Sequence, residues 1–422
     1  MNAAAMVREH LTRSATAAEA FFSTHSPSIA ATCRQMADRF ERGGTLIVFG
    51  SGAQATDAHH VAVEFVHPIV VGKRALPAVA LTSDVAVLTA ARGEDPDDYF
   101  AAPLQVLGTA ADIALGLCGQ GTDKPTERAL AAARRRGMLT VLATGSREPA
   151  RRIAECEFHI PADDPMLVQE LEETLYHVLW EVVHVFFEAR GALNPFQFAA
   201  VAVDARLDTA RDHARESIQR KGCDIAGIRQ VMAASSAQLL AEAARAIAAR
   251  VAAGGRILAF GNGGSATDAQ DVVADCMAPA DRSARPLAAL ALTNDVGVLT
   301  AVANDVGFEH VFSRQVDAFG RAGDVAIAFS TSGESSNVVR AMDVAKARGL
   351  LTVALSGTGG GALAHSSAVD FSVTAPADYV PRIQEAHASA WHAMLRVVRA
   401  LLDDTPATVT VDPCVGVDQR SA

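Results

Sequence analysis

The sequence predicts an α/β protein built twice over: two tandem domains, each a parallel sheet with helices on both faces in a three-layer sandwich. Three observations predict it. The chain repeats itself, because at an offset of 211 residues Phe49 to Ala90 lies on Phe260 to Ala301 without a gap. A repeat this long indicates two homologous domains rather than a solenoid of short units. Within each half, short runs that are apolar throughout alternate with helical ones, the pattern of a doubly covered parallel sheet. Half of the residues are hydrophobic but only 5% are aromatic, so the core is one of Ala, Val and Leu.

In the first half the buried strands read "TLIVFG", "AVALT", "DIALGL" and "LTVLATG". Their counterparts in the second half are "RILAFG", "LALALT", "DVAIAFS" and "LTVALSG". Amphipathic, Ala-rich helices lie between them. Gly and Pro interrupt two helical patterns in "EARGALNPFQF", Glu188 to Phe198. The expected domains are therefore 1–195 and 196–405, followed by a flexible tail, 406–422, that has no helical period.

A net charge of −11 and a pI near 5.6 argue against non-specific binding to nucleic acid or anionic lipid. An anionic ligand must be held by a local site. Cys33, Cys118, Cys156, Cys223, Cys276 and Cys414 are scattered and fit a reducing compartment better than a disulfide framework. The opening "MNAAAMVREHLTRSATAAEAFF" carries charges where a secretory leader needs an apolar run. No segment has the length of a membrane span. The expectation is a cytoplasmic protein with no nucleic-acid or membrane partner.

Two polar loops stand at strand ends in the second half. "ILAF" runs into "GNGGSATDAQ", where glycines admit a ligand to the backbone and Ser265 can cap the next helix. "AIAF" runs into "STSGESSN", Ser330 to Asn337, whose hydroxyls and amides could surround a phosphate without Lys or Arg. One such loop is an ordinary turn; two on one sheet point to an anion site.

"GNGGSATDAQ", "NDVGFEHVFSRQV", "STSGESSNVVRA" and "RIQEAHASAWH" resemble the sugar isomerase (SIS) domain family, and within it the phosphoheptose isomerases. The resemblance spans the second half and, more weakly, the first. It implies a flavodoxin-like fold and a zinc ion. The implied reaction is an aldose–ketose isomerisation of sedoheptulose 7-phosphate to a manno-heptose 7-phosphate. It also implies a homo-oligomer with sites at subunit interfaces, here a dimer of tandem chains.

Carried over, the sugar phosphate meets Asn262, Gly263, Gly264 and Ser265, and the substrate pair is Asn304 and Asp305. Ser330, Thr331, Ser332 and Ser335 match the phosphate loop. Gln384 matches a residue that serves substrate and metal, and His392 the last metal ligand and proposed acid/base. The family's metal-binding His and Glu are here Asp271 and Asp275.

The first half keeps what the second has lost. His60 and Glu64, spaced i, i+4, share one helical face and can meet one metal. Gln169 and His177 follow, but the phosphate loop has become "CGQGTDKP", Cys118 to Pro125, with Asp123 set to repel an anion. Gln169 and His177 lie roughly 12 Å apart along a helix at about 1.5 Å per residue, too far to converge on one ion. A composite site would draw on His60 and Glu64, with one Gln (Gln169 or Gln384) and one His (His177 or His392) from either half. The chain then reads as a fused dimer with one site kept and its symmetric partner decayed. The alternative is a first half that serves as scaffold, its pair a relic, with His59, His67 and His184 incidental.

For the isomerase reading the chemistry is a 1,2-proton shift through an enediol(ate), with Glu64 and either His177 or His392 as proton-transfer candidates. A zinc ion would polarise the carbonyl. The rival is a non-catalytic SIS domain that senses a sugar phosphate or binds a regulatory protein.

Overall fold

A computed structural model describes residues 2–70, 72–90, 95–145, 152–191 and 200–403. The expected boundary at 195/196, the tail from 406 and Cys414 lie outside them.

Each half holds a five-stranded, all-parallel sheet. The first has the order β2-β1-β3-β4-β5, with β1 Leu46–Gly50, β2 Ala78–Ala80, β3 Ile113–Cys118, β4 Leu139–Thr144 and β5 Cys156–His159. The second repeats that order as β7-β6-β8-β9-β10: β6 Ile257–Gly261, β7 Ala289–Ala291, β8 Val325–Ser330, β9 Leu351–Ser356 and β10 Phe371–Thr374. This is the flavodoxin-like order, in which ligands bind beyond the carboxyl ends of the strands where the order reverses. The reversal falls between β1 and β3, and between β6 and β8, where both polar loops emerge.

Alternate residues of each central strand serve opposite helical layers, which explains the unbroken apolar runs. Leu46 and Val48 enter one cluster while Ile47 and Phe49 enter another. Ile257 and Ala259 part from Leu258 and Phe260 in the same way. The short, partly exposed outer strands β5 and β10 were not among the expected strands. "AVALT" is shorter than expected, because Leu81–Ser83 turns into a 3-10 helix.

Six helices position the site: α1 Ala3–Glu41, α2 Gln54–Val66, α3 Pro165–Gly191, α4 Ala200–Ser235, α5 Gly264–Met277 and α6 Val380–Asp403. The halves meet through α2 on α5 and α3 on α6, and they exchange helices. Ala3, Ala4, Val7 and Leu11 of α1 lie in the core of the second half. Ala210, Ala214, Ile218 and Ile225 of α4 lie in the core of the first. No described helix is long and apolar enough to cross a membrane, and the described cysteines form no disulfide.

Candidate active site

The second-half loops are braced against each other. Asn262 and Asn337 exchange amide hydrogen bonds of 2.9 and 2.8 Å, tying the β6 loop to the helix after β8. Ser330 Oγ lies 3.1 Å from Ser335 Oγ and accepts from Gly333 N–H at 3.2 Å. Ser332 Oγ accepts from Glu334 N–H at 3.1 Å. Gly333 has φ +68°, and a Cβ there would strike the Gly360 carbonyl oxygen at 2.1 Å. Ser265 is not the cap expected of it. Gly263, at φ +56°, occupies that position, and Ser265 is buried inside the first turn of α5. No side chain caps the first turn of α5, and among its backbone N–H groups that of Ala266 donates to the Gly263 carbonyl at 2.9 Å; a helix N-terminus of this kind favours an anion. Asn304 and Asp305 end the helix Val296–Asp305, exposed and bonded to each other at 2.8 Å rather than to either loop.

In the first half, His60 and Glu64 of α2 meet His177 of α3, all buried, with ligand-type atoms within 4.8 Å of one another. His60 Nε2 lies 3.7 Å from Glu64 Oε1. Gln384 of α6 joins them from the other half, its Nε2 at 3.3 Å from His60 Nε2. Backing groups orient each ring. His177 Nδ1 lies 2.8 Å from Glu385 Oε1, which Arg382 also contacts. With Arg382 donating to that carboxylate, His177 carries its proton on Nδ1 and turns a lone pair on Nε2 into the cluster. Burial pushes the His177 pKa down to about 3, so the ring is neutral. His60 Nδ1 lies 2.9 Å from the Tyr176 hydroxyl, which reaches Asp57 Oδ1 at 3.4 Å. Burial opposes the charge on Glu64, but the His60 hydrogen bond and nearby His177 hold its carboxyl below the usual range.

Gly264 joins cluster and loop. A Cβ there would fall 1.9 Å from Gln384 Nε2 and 2.5 Å from His60 Nε2. The first residue of the sugar-phosphate loop's helix thus abuts the His60–Glu64–His177 group. The collisions are with two buried side chains and not with backbone, so Gly264→Ala is expected to displace His60 and Gln384 while the secondary structure read by circular dichroism is kept. It should weaken metal retention by about tenfold or more, measured by metal analysis after dialysis.

The quasi-equivalent cluster is different. Gln169 Nε2 donates to Asp271 Oδ1 at 3.0 Å, and Thr56 donates to the same carboxylate. His392 lies 3.4 Å from Asp275 Oδ2 and 2.9 Å from Glu170 Oε1. Burial disfavours its charge, yet these two carboxylates raise its pKa to about 10, so an imidazolium sits in this cluster. Gln169 and His392 therefore stand apart from His60 and Glu64, while Gln384 and His177 stand beside them.

The loop between β3 and the next helix is filled from within. Glu172 Oε1 accepts from Cys118 N–H at 3.3 Å, and Glu172 Oε2 accepts from Gln54 Nε2 at 3.1 Å. Gln54 occupies the place of Ser265, and Asp123 caps Lys124–Arg135 through Thr126 N–H. Glu170, Glu172, Glu385 and Tyr176 escaped the sequence reading. The acid-rich run "QELEET" on an otherwise apolar helix was a signal for Glu170 and Glu172 alone.

The SIS domain profile matches residues 9–145 and 224–357, one segment in each half and together more than half of the chain. A phosphoheptose isomerase of Rhodospirillum rubrum is 42% identical over 166 residues, which cover 39% of this chain and 87% of the relative. One from Bordetella avium is 47% identical over 164 residues, 39% of this chain and 83% of the relative. The structure of tagatose-6-phosphate ketose/aldose isomerase from Escherichia coli superposes with a TM-score of 0.52 at 14% identity. That superposition covers 98% of this chain and 99% of the neighbour, a likeness of fold.

Proposed function

We propose, starting from a chain that belongs to the SIS domain family, that it isomerises a sugar phosphate at one composite site shared by its halves. Its substrate is sedoheptulose 7-phosphate, the product a manno-heptose 7-phosphate. The observation that carries this reading is Gly264, which brings the phosphate-loop half against His60 and Gln384. Relatives named phosphoheptose isomerase support the reaction class.

His60, Glu64, His177 and Gln384 fit a zinc ion. Glu64 Oε2, His177 Nε2 and Gln384 Oε1 are buried without hydrogen-bond partners, and two imidazoles with a carboxylate suit that metal. Bound there, zinc would polarise the substrate carbonyl.

The chain's own groups do the rest. The Ser330–Ser335 hydroxyls and loop amides hold the phosphate and fix the far end of the sugar. Glu64, held ionised, takes the proton from C1 of the ketose through the carboxylate oxygen it does not lend to the ion, leaving an enediolate; the O1 proton passes to O2, and Glu64 returns its proton to C2. His177, its Nε2 bare, acts as a ligand rather than an acid. His392, already paired with Glu170 and Asp275, takes no part.

Incubation of the zinc-loaded chain with sedoheptulose 7-phosphate is expected to yield an aldose 7-phosphate, detected by NMR, at a rate abolished by chelator. Phosphate-sugar binding without turnover would replace this reading with that of a sensor.

A further inference from the structure

The two halves differ at one buried position that faces the carboxyl ends of their sheets. Three residues beyond Gln169 on α3 stands Glu172, and three beyond Gln384 on α6 stands His387, both only 1% exposed. The Glu172 carboxyl is bonded to the loop after β3, through Cys118 N–H at 3.3 Å and Gln54 Nε2 at 3.1 Å. Cys118 matches Ser330, which opens the phosphate loop, and Gln54 matches Ser265. His387 lies at the equivalent strand ends of the second half, its ring 5.9 Å from that of Phe329 and beside the main chain of Ser356. Neither of its ring nitrogens has a hydrogen-bond partner.

The first-half loop has lost the serines of its counterpart but kept its course. Gly121 has φ +71° where Gly333 has φ +68°. Each loop opens into a twelve-residue helix, Lys124–Arg135 in one half and Ser336–Ala347 in the other. Successive loop amides ahead of a helix N-terminus favour an anionic oxygen, and the oxygens found there belong to the chain's own Glu172. Burial pushes the Glu172 pKa up to about 8 against its two hydrogen bonds. At neutral pH it therefore claims the space and the donors of an anion while bearing little charge. Burial pushes His387 down to about 4, so a neutral ring, hydrogen-bonded to nothing in the loop, stands at the same position of the second half.

We propose that this position decides which half takes a phosphate: Glu172 is an internal plug in a second anion cradle, and His387 leaves its own half's cradle open. The inference rests on the phosphate-loop reading above and adds to it the residue that keeps the chain to one site. A sugar phosphate held in the first-half loop would face the cluster of Gln169, Asp271 and His392, which lacks the His60–Glu64 pair, and would be bound without being turned over. Glu172 shuts out that unproductive mode. Asp123, at the helix cap where the second half has Ser335, sets a like charge at the rim. Each chain then presents one phosphate ester to His60, Glu64, His177 and Gln384.

The test is uptake of radiolabelled inorganic phosphate by the full chain in equilibrium dialysis. Wild type is expected to bind one phosphate per chain. Gln54→Ser/Asp123→Ser, which installs the second half's smaller residues but keeps the plug, should also bind one. Adding Glu172→His to that pair should give two, and Glu172→Ala replaces it should the first not fold by circular dichroism. In the reverse direction, His387→Glu should weaken the wild-type site about tenfold or more, the effect of losing hydrogen bonds to a charged ligand. A folded triple variant that binds no more phosphate than its double-variant background overturns the plug. So does a second phosphate already bound by wild type or by that background. Unchanged binding in a folded His387→Glu overturns the role given to His387. A wild type that binds none would count against the phosphate loop of the second half, while a phosphate gained on replacing Glu172 would still establish the plug.

Discussion

His60→Ala and Gln384→Ala are each expected to cut isomerase kcat/KM by about a hundredfold or more, although the two residues stand in different halves. They meet at 3.3 Å over Gly264 and serve one cluster. The double variant should therefore lose little more than either single one, since groups that act as a unit are not additive. Both residues belong to one chain, so an equimolar mixture of the two single variants should recover no activity. Asp271→Ala, in the other cluster, should leave kcat/KM within about threefold of wild type, a difference under about 0.7 kcal/mol. Steady-state assays on sedoheptulose 7-phosphate decide it. Full activity in His60→Ala with loss in Asp271→Ala would move the reaction to the cluster around His392.

Glu170→Ala is expected to be the most destabilising single change, at about 3–5 kcal/mol. Glu170 is wholly buried and central to one network. It contacts His10 Nε2 at 2.7 Å and His392 Nδ1 at 2.9 Å, and Ser389 donates to it at 2.6 Å. Ser14 also donates to it, and Arg229 Nη2 stands 3.7 Å away. Its removal leaves Arg229 and a charged His392 buried without their shared anion. Urea denaturation measures the loss.

The network also sets a pH dependence with a definite sign. His392 is raised to about 10, above an unfolded value of roughly 6.5. Its contribution is complete below about 6.5 and is lost as pH climbs toward 10. Burial alone would raise Glu170, but His10 and His392 hold it well below the usual range. Its contribution is present above roughly 4.5 and lost as pH falls below that. The wild type should therefore lose stability progressively between about pH 6.5 and 10, and Glu170→Gln should flatten that slope.

The sequence reveals the duplication and the central strands because both are written in local patterns. It also separates Gln from His on one helix, because eight residues of helical rise keep them apart. It leaves open which half supplies which partner, since only the packing of α3 against α6 places Gln384, and not Gln169, beside His60. Ser265 misleads because the cap is decided by a positive φ at Gly263, a geometry that glycine permits without fixing which residue of the loop begins the helix. The contacts of the Glu172 carboxylate that fills its own half's loop are equally unmarked, since Gln54 and Cys118 stand far from it in sequence. So are the links from Glu385 to His177 and from Tyr176 to His60.

The exchange of α1 and α4 has a consequence for how the molecule is made. On the ribosome the front sheet emerges whole well before Ala210, Ala214, Ile218 and Ile225, which complete its core. Meanwhile Ala3, Ala4, Val7 and Leu11 wait for a rear sheet not yet translated. The usual order, in which the leading domain folds first as a finished unit, is closed to this chain. A nascent chain halted after residue 195 should remain protease-sensitive, and native resistance should appear only as the rear half is released.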